Sequence, residues 1–235
     1  MSFRNPKQSG RSRARTPEDK LRVREAFIAA GRELYSEGDP SRVSLRQIAA
    51  QAGYAPGAIY QYFADQRDLF ASVREHDMHQ ASQELEKAIA RTRDPVQRVR
   101  RLLFATVDYW LEHMDHFLVL FRPPSSGPFV AAPGSQPFGR SPVVQRILSL
   151  YYDSVREMFD SLPRQPMPPR LATDMLLASV YGTLVFPLMT RTMEWSDTRT
   201  MARRLIQTVL DQWVSEAREE KPSGPGGPPR QRIKP

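Results

Sequence analysis

Apolar residues recur along this chain at spacings of three and four, in segments separated by Gly, Pro, Ser and Asp. That spacing places apolar side chains on one face of an α-helix. In "RTPEDKLRVREAFIAAGRELYSEG", Val23, Phe27, Ala30 and Leu34 share such a face. Thr16 reads as the N-cap, Pro17 as N1 and Asp19 as N3, and Gly38 with Pro40 stops the helix. "SLRQIAAQAG" starts again with Ser44 and Gln47 at capping-box spacing, and its apolar side is Leu45, Ile48, Ala49 and Ala52. Gly53 is expected to end this helix in a left-handed turn. In "YAPGAIYQYF", Ala55 then becomes an N-cap and Pro56 an N1 residue, so a third helix is predicted from Pro56 to about Phe63, with Ile59 and Phe63 facing inward.

Beyond Asp65 the pattern stays helical. "DQRDLFASVREHDMHQASQELEKAIARTR" predicts one long amphipathic helix. Asp94 and Pro95 start "PVQRVRRLLFATVDYWLEHMDHFLVLF", a helical run rich in aromatics. Residues 122–141 form a Pro, Gly and Ser loop, a length typical of functional covers or disordered segments, and composition does not choose between them. Ser141 and Pro142 open a helix through about Leu162; Pro168 and Pro169 precede "RLATDMLLASVYGTLVFPLMTRT", and Asp197 caps "TRTMARRLIQTVLDQWVSEA". No segment carries the period of two that marks a strand. The expected fold is all-α: a disordered basic arm at 1–15, a three-helix unit at 16–70, a helical bundle at 71–217 and a disordered tail at 218–235.

Composition narrows the function. The 235 residues contain no cysteine, which excludes disulfides, thiolate zinc sites and cysteine nucleophiles. No signal-peptide core is evident, and no run approaches the roughly 18 apolar residues of a membrane span, so a cytoplasmic protein without a membrane partner is expected. The net charge of +8 is unevenly placed. Arg4, Lys7, Arg11, Arg13 and Arg15 lie in an arm without acids, whereas residues 17–70 hold seven basic and eight acidic residues. The arm suits a polyanion, or simple solubility. No GxSxG, phosphate-cradling glycine loop or clear acid pair is present, so no enzyme and no cofactor are expected. His76 with His79, and His113 with His116, are spaced to chelate a metal beside Asp77 and Asp115, but no third ligand at fixed spacing supports either pair, and no metal site is expected.

Two short helices joined by a glycine turn, after a longer amphipathic helix, form a helix-turn-helix. Its second helix enters the DNA major groove with its N-terminal residues at the base edges. Those residues are Pro56, Gly57, Ala58 and Gln61, of which only Gln61 can pair with an adenine edge. Gly57 permits close backbone approach, and Pro56 and Ala58 offer apolar contact to a thymine methyl. Tyr60 and Tyr62 can reach phosphates through their hydroxyls, with part of each ring spent on a small core.

"VSLRQIAAQAGYAPGAIYQYFADQRDLF", preceded by "AFIAAGRELYSEG", resembles the DNA-binding domain of the TetR family of bacterial transcriptional regulators over about residues 18–72. The remainder is similar only in plan, as an effector-binding and dimerisation bundle. The resemblance implies a homodimer that binds a palindromic double-stranded DNA operator, usually as a repressor released by a small molecule. By position it implies phosphate contacts from Ser44 and Arg46, base contacts from Pro56, Gly57 and Gln61, and backbone contacts from Tyr60 and Tyr62. Two positions depart from the pattern. Ala55 replaces the usual Ser or Thr after the turn, and Gln66 replaces the usual lysine after "YF", which moves that contact to Arg67.

The family holds effectors between central helices, which makes Phe104, Tyr109, Trp110, His113, Phe117, Phe121, Tyr151, Tyr152, Phe159 and Met175 candidates to line a largely hydrophobic pocket. Most of these residues equally suit a plain helical core. Small residues in "LATDMLLASVYGTLVF" allow close helix approach, and pairing that helix with "ARRLIQTVLDQWV" across a two-fold gives a four-helix interface through Ala178, Gly182, Phe186, Leu205, Val209 and Trp213. Two further functions remain open: a DNA-binding or interaction protein that ignores ligands, and an activator.

Overall fold

In a computed structural model, which describes residues 16–121 and 137–219, the chain is helical and the described residues contain no strand. The basic arm, most of the Pro/Gly/Ser loop and nearly all of the tail lie outside the described residues. Helix α1 spans Pro17–Glu37, α2 Leu45–Gln51, α3 Gln66–Ile89, α4 Pro95–Glu112 and α5 Met114–Phe121; α6 spans Pro142–Asp160, α7 Pro169–Met189 and α8 Thr198–Arg218.

The caps are local chemistry. Thr16 Oγ1 accepts from the Asp19 amide at 3.1 Å, Asp94 from Gln97 at 2.7 Å and Asp197 from Thr200 at 2.8 Å. Ser44 and Gln47 close a reciprocal capping box on α2. Each such cap is worth about 1 kcal/mol to its helix.

Packing divides the helices into two cores. The first joins Phe27 and Ile28 of α1, Ile48 of α2, Ile59 and Phe63, and Leu69 and Val73 of α3, all at most 1% exposed. Val119 of α5 also enters it. The second core runs through α3, α4, α6, α7 and α8, from Met78 to Trp213. Helix α3 belongs to both cores, and the change falls between Val73 and Met78. The boundary expected at residue 70 therefore lies inside a continuous helix, where the two units share a rigid strut.

Two expected helices differ in form. Between Pro56 and Phe63 the backbone turns through residues 56–58 and then makes a 3-10 helix at Ile59–Gln61, closed by bonds such as Ala58 N to Ala55 O and Tyr62 N to Ile59 O. With Ala55 in place of a hydroxyl residue, no side chain caps this segment, and the tighter hydrogen bonding satisfies its amides instead. The run after Asp94 is broken at His113, whose φ of −121° and ψ of 58° end α4 and redirect the chain into α5. Helix α5 packs on α1 and α3, and that tertiary contact sets the break.

Helix α7 is apolar enough, with a mean hydropathy of 1.5 over 18 residues, to meet the length and composition of a membrane span, contrary to the expectation that no run approaches it. Only 28% of that window is buried. Ala172, Thr173, Leu176, Val180 and Leu184 face the bundle, while the opposite face is open.

Candidate functional site

The segment from Gly53 to Phe63 presents two faces. Gly53 has φ +78°, the left-handed conformation that glycine adopts without strain. Ile59 and Phe63 point into the first core at 0% and 1% exposure, so the other side of the same turn must face outward. Pro56, Gly57 and Gln61 are exposed there, Tyr60 is 56% exposed, and Ala58 is half-buried. Tyr62 is also half-buried, with its ring on Phe27 at 5.6 Å and edge-on. Burial and the neighbouring Tyr54 phenol and Asp19 carboxylate raise its pKa above the usual phenol value. The two tyrosines thus divide between a supporting and an outward position. Tyr54, which the apolar pattern did not single out, supports the turn from the same ring, 5.1 Å from Phe27.

Gly57 has a backbone that any residue adopts, and a Cβ added there would meet nothing within 4 Å. Nothing inside the protomer requires a glycine at this exposed position. At the start of α2, Ser44 and Arg46 are exposed, although the Ser44 hydroxyl is already bonded within the capping box at 2.9 and 3.2 Å. Gln66 turns inward, and its amide donates to the Val43 carbonyl, tying α3 to the loop before α2. Arg67 is exposed beside it. The cation that can reach outward at this point is therefore Arg67.

In the bundle, part of the expected aromatic set converges. Trp110 lies 5.8 Å from Phe117 and 5.5 Å from Phe121, and Tyr109 lies 4.5 Å from His113. Tyr181 completes this group, stacked on Phe117 at 6.3 Å, tilted against Phe121 at 4.9 Å and accepting from Trp110 Nε1 at 3.0 Å. It escaped the sequence reading, yet it falls off the repeating small and apolar positions of α7, which is a signal of an inward side chain. Tyr151 joins through its hydroxyl, 2.7 Å from Thr106 Oγ1. Burial raises the Tyr181 phenol to about 12, so it stays neutral and acts as a hydrogen-bonding group.

The rest of that set lies elsewhere. Phe104 sits under the Arg203 guanidinium on α8 at 5.2 Å, and Phe159 packs on Trp213 at 5.6 Å. Tyr152 donates to Asp174 at 2.5 Å on the surface, and Met175 is 46% exposed. A separate open groove of about 400 Å³ lies between α1, α3 and α6, lined by Arg24, His76, His79 and Val143 among others. It is more polar than the aromatic group and apart from it.

The residues expected at an interface separate similarly. Ala178, Gly182 and Phe186 are exposed on α7. With Leu171, Met175 and Met189 they make a continuous stripe at spacings of three and four. Trp195 covers part of it, 5.4 Å from Phe186. A Cβ at Gly182 would again meet nothing within 4 Å. Leu205 and Val209 are half-buried, while Trp213 is 3% exposed and belongs to the intrachain core. Its contact with Phe159 takes it out of the expected interface.

Residues 27–73 match the family model of bacterial regulatory proteins, tetR family. The HTH-type transcriptional regulator BetI of Brucella anthropi is 32% identical over 83 residues, which are 35% of this chain and 42% of that protein. The alignment therefore spans less than half the length of this curated relative. Among solved structures, the fatty acid degradation regulator FadR from Bacillus halodurans superposes with a TM-score of 0.65 at 16% identity, covering 84% of this chain and 97% of that one. FadR from Bacillus subtilis in complex with stearoyl-CoA gives 0.61 at 19% identity, covering 82% and 98%. These likenesses extend the common all-helical fold beyond the matched segment, and the proteins named are regulators, not enzymes. On the sequence of residues 27–73, the helix-turn-helix unit of this chain is that of the tetR family of bacterial regulatory proteins.

Proposed function

We propose that the protein is a homodimeric repressor that binds a palindromic operator through the outward face of residues 56–61 and is released by a small, largely hydrophobic effector. The observation that carries the DNA reading is the two-faced turn. Ile59 and Phe63 lock it to the core, while Pro56, Gly57, Tyr60 and Gln61 stand free on one surface. In this reading Gln61 pairs with a base edge, Pro56 and Ala58 meet methyl groups, and Tyr60, Tyr62, Ser44, Arg46 and Arg67 hold phosphates. With one polar reader per half-site, DNA shape contributes to specificity.

The open stripe on α7 supports the homodimer. An apolar helix face of that length is covered in solution by a partner, and a two-fold copy brings its own α7 against it. The aromatic group of Trp110, Phe117, Phe121 and Tyr181 supports the effector reading, because apolar rings with a few buried hydroxyls suit a hydrophobic ligand carrying one or two polar groups. A structural neighbour solved with stearoyl-CoA makes acyl compounds reasonable first candidates.

Binding to the intergenic DNA beside the gene, followed by fluorescence anisotropy, tests this function. The expected result is saturable, sequence-specific binding that is reversed by a compound which also raises the melting temperature. Equal affinity for unrelated duplexes, with no compound in a broad hydrophobic library affecting it, overturns it in favour of a ligand-independent DNA binder.

A further inference from the structure

The elbow between α4 and α5 gathers side chains that neither DNA binding nor core packing uses. On an unbroken helix, residues 113 and 115 lie about 200° apart around the axis and face different sides. The break at His113 removes that restriction, and one ligand atom from each of His113, Asp115 and His116 lies within 4.8 Å of the others. The two imidazoles stack 5.0 Å apart at 28°. His116 Nδ1 is 3.1 Å from the Tyr109 hydroxyl, and His116 Nε2 is 3.8 Å from Asp115 Oδ2. The second distance is too long for a hydrogen bond. It is close to the spacing of two ligands on one tetrahedral ion, which stand about 3.4 Å apart when each bond is about 2.0–2.1 Å.

Asp77 is a further buried acid near the elbow, with one of its oxygens unsatisfied. Its side chain on α3 is fully buried, and Oδ1 accepts from both Nε and Nη2 of Arg32, at 2.7 and 2.5 Å. Oδ2 is buried with no hydrogen-bond partner. Asp77 is near enough to feel the charge of Asp115, but it is not one of the three groups whose ligand atoms converge. A buried carboxylate oxygen without a donor is unfavourable unless a cation satisfies it. Arg32 does not preclude a cation, because the Asp77 charge offsets its own.

We propose that the α4–α5 elbow binds one divalent transition-metal ion of the zinc, cobalt or nickel class through His113, Asp115 and His116. Two imidazoles and a carboxylate are the donor set for that class. The Tyr109 hydroxyl holds Nδ1 of His116 and leaves Nε2 for the ion. Helix α5 packs on α1, and its Val119 enters the first core, so the site sits against the helix-turn-helix unit.

Titration of the chelator-treated full chain with cobalt(II) tests the site, because a low-coordinate cobalt complex absorbs in the visible. The expected result is one ion per chain, displaced by zinc, with zinc raising the melting temperature. His113→Gln and Asp115→Asn, at partly exposed positions, each weaken binding at least about tenfold and leave the metal-free circular dichroism unchanged. His79→Gln, outside the elbow, retains binding. Absence of saturable binding in the natural chain overturns the proposal, as does binding that survives both elbow substitutions or that is lost in His79→Gln instead. If one elbow variant fails to fold, the other decides.

Discussion

Gly57 and Gly182 share a property visible only at the level of single atoms: each is exposed, has ordinary backbone angles, and has empty space where a Cβ would go. Glycine in such a place loses roughly 0.5–1 kcal/mol of stability relative to alanine, so its use points to something outside the protomer that approaches closely. At Gly57 the proposed neighbour is DNA. Gly57→Ala should leave the melting temperature unchanged or higher and weaken operator binding about tenfold, or 1.4 kcal/mol, in anisotropy titrations; equal affinity would remove Gly57 from the interface. Gln61→Ala should lose roughly 1–3 kcal/mol of discrimination at one base position per half-site. Tyr60→Phe should instead weaken all sequences about equally, and a variant that altered base preference would contradict its assignment to phosphate.

At the scale of elements, much of the fold was legible because its signals are local. Thr16, Ser44, Asp94 and Asp197 each cap the next helix through an oxygen three residues before the amide it serves, and such a pair is readable from spacing alone. The 3-10 form of Ile59–Gln61 was less legible, since nothing in the apolar pattern distinguishes it from an α-turn with Ile59 and Phe63 inward. The break at His113 was not legible. His113 and Met114 resemble their helical neighbours, and the bend exists because α5 leaves α4 to cover α1 and α3. That bend moved Asp115 next to two histidines and put Tyr181, not Phe104 or Phe159, beside Trp110.

The elbow also predicts a pH dependence. His116 is lowered from 6.5 to about 4, chiefly by burial and then by Arg32. Its contribution to stability is present above about pH 6.5 and lost as pH falls through about 4. Asp77, raised from 3.8 to about 6 by burial, acts in the opposite direction: its contribution is present below 3.8 and lost as pH rises through about 6. The difference between the natural chain and His116→Asn isolates the histidine. With chelator present, the natural chain should lose up to about 3 kcal/mol relative to that variant between pH 6.5 and 4. Parallel pH profiles in thermal melts would show that His116 is not held neutral.

For the whole molecule, α3 carries both cores and α5 closes the junction between them, so a change in the aromatic group of the bundle has a continuous packed route to the helix-turn-helix. The proposed dimer is the other feature of this scale. Sequence reading placed it on α7 from small residues, and also assigned Trp213 to it, because a buried tryptophan and an exposed one have the same helical spacing. Phe186→Glu puts a charge on the open stripe while leaving the protomer's own core untouched. It should shift dimer dissociation by about a hundredfold or more, read by light scattering at micromolar concentration. An unchanged mass would show that the stripe is not the interface.

In the proposed assembly, two copies joined through α7 present two turns at residues 56–61 to one operator. Hydroxyl-radical footprinting of the adjacent intergenic DNA measures this most directly. The expected result is two protected half-sites related by a two-fold, about one helical turn or a multiple of it apart, lost together in Phe186→Glu at concentrations that saturate the natural chain. A single protected site, or a footprint unchanged in that variant, would contradict it.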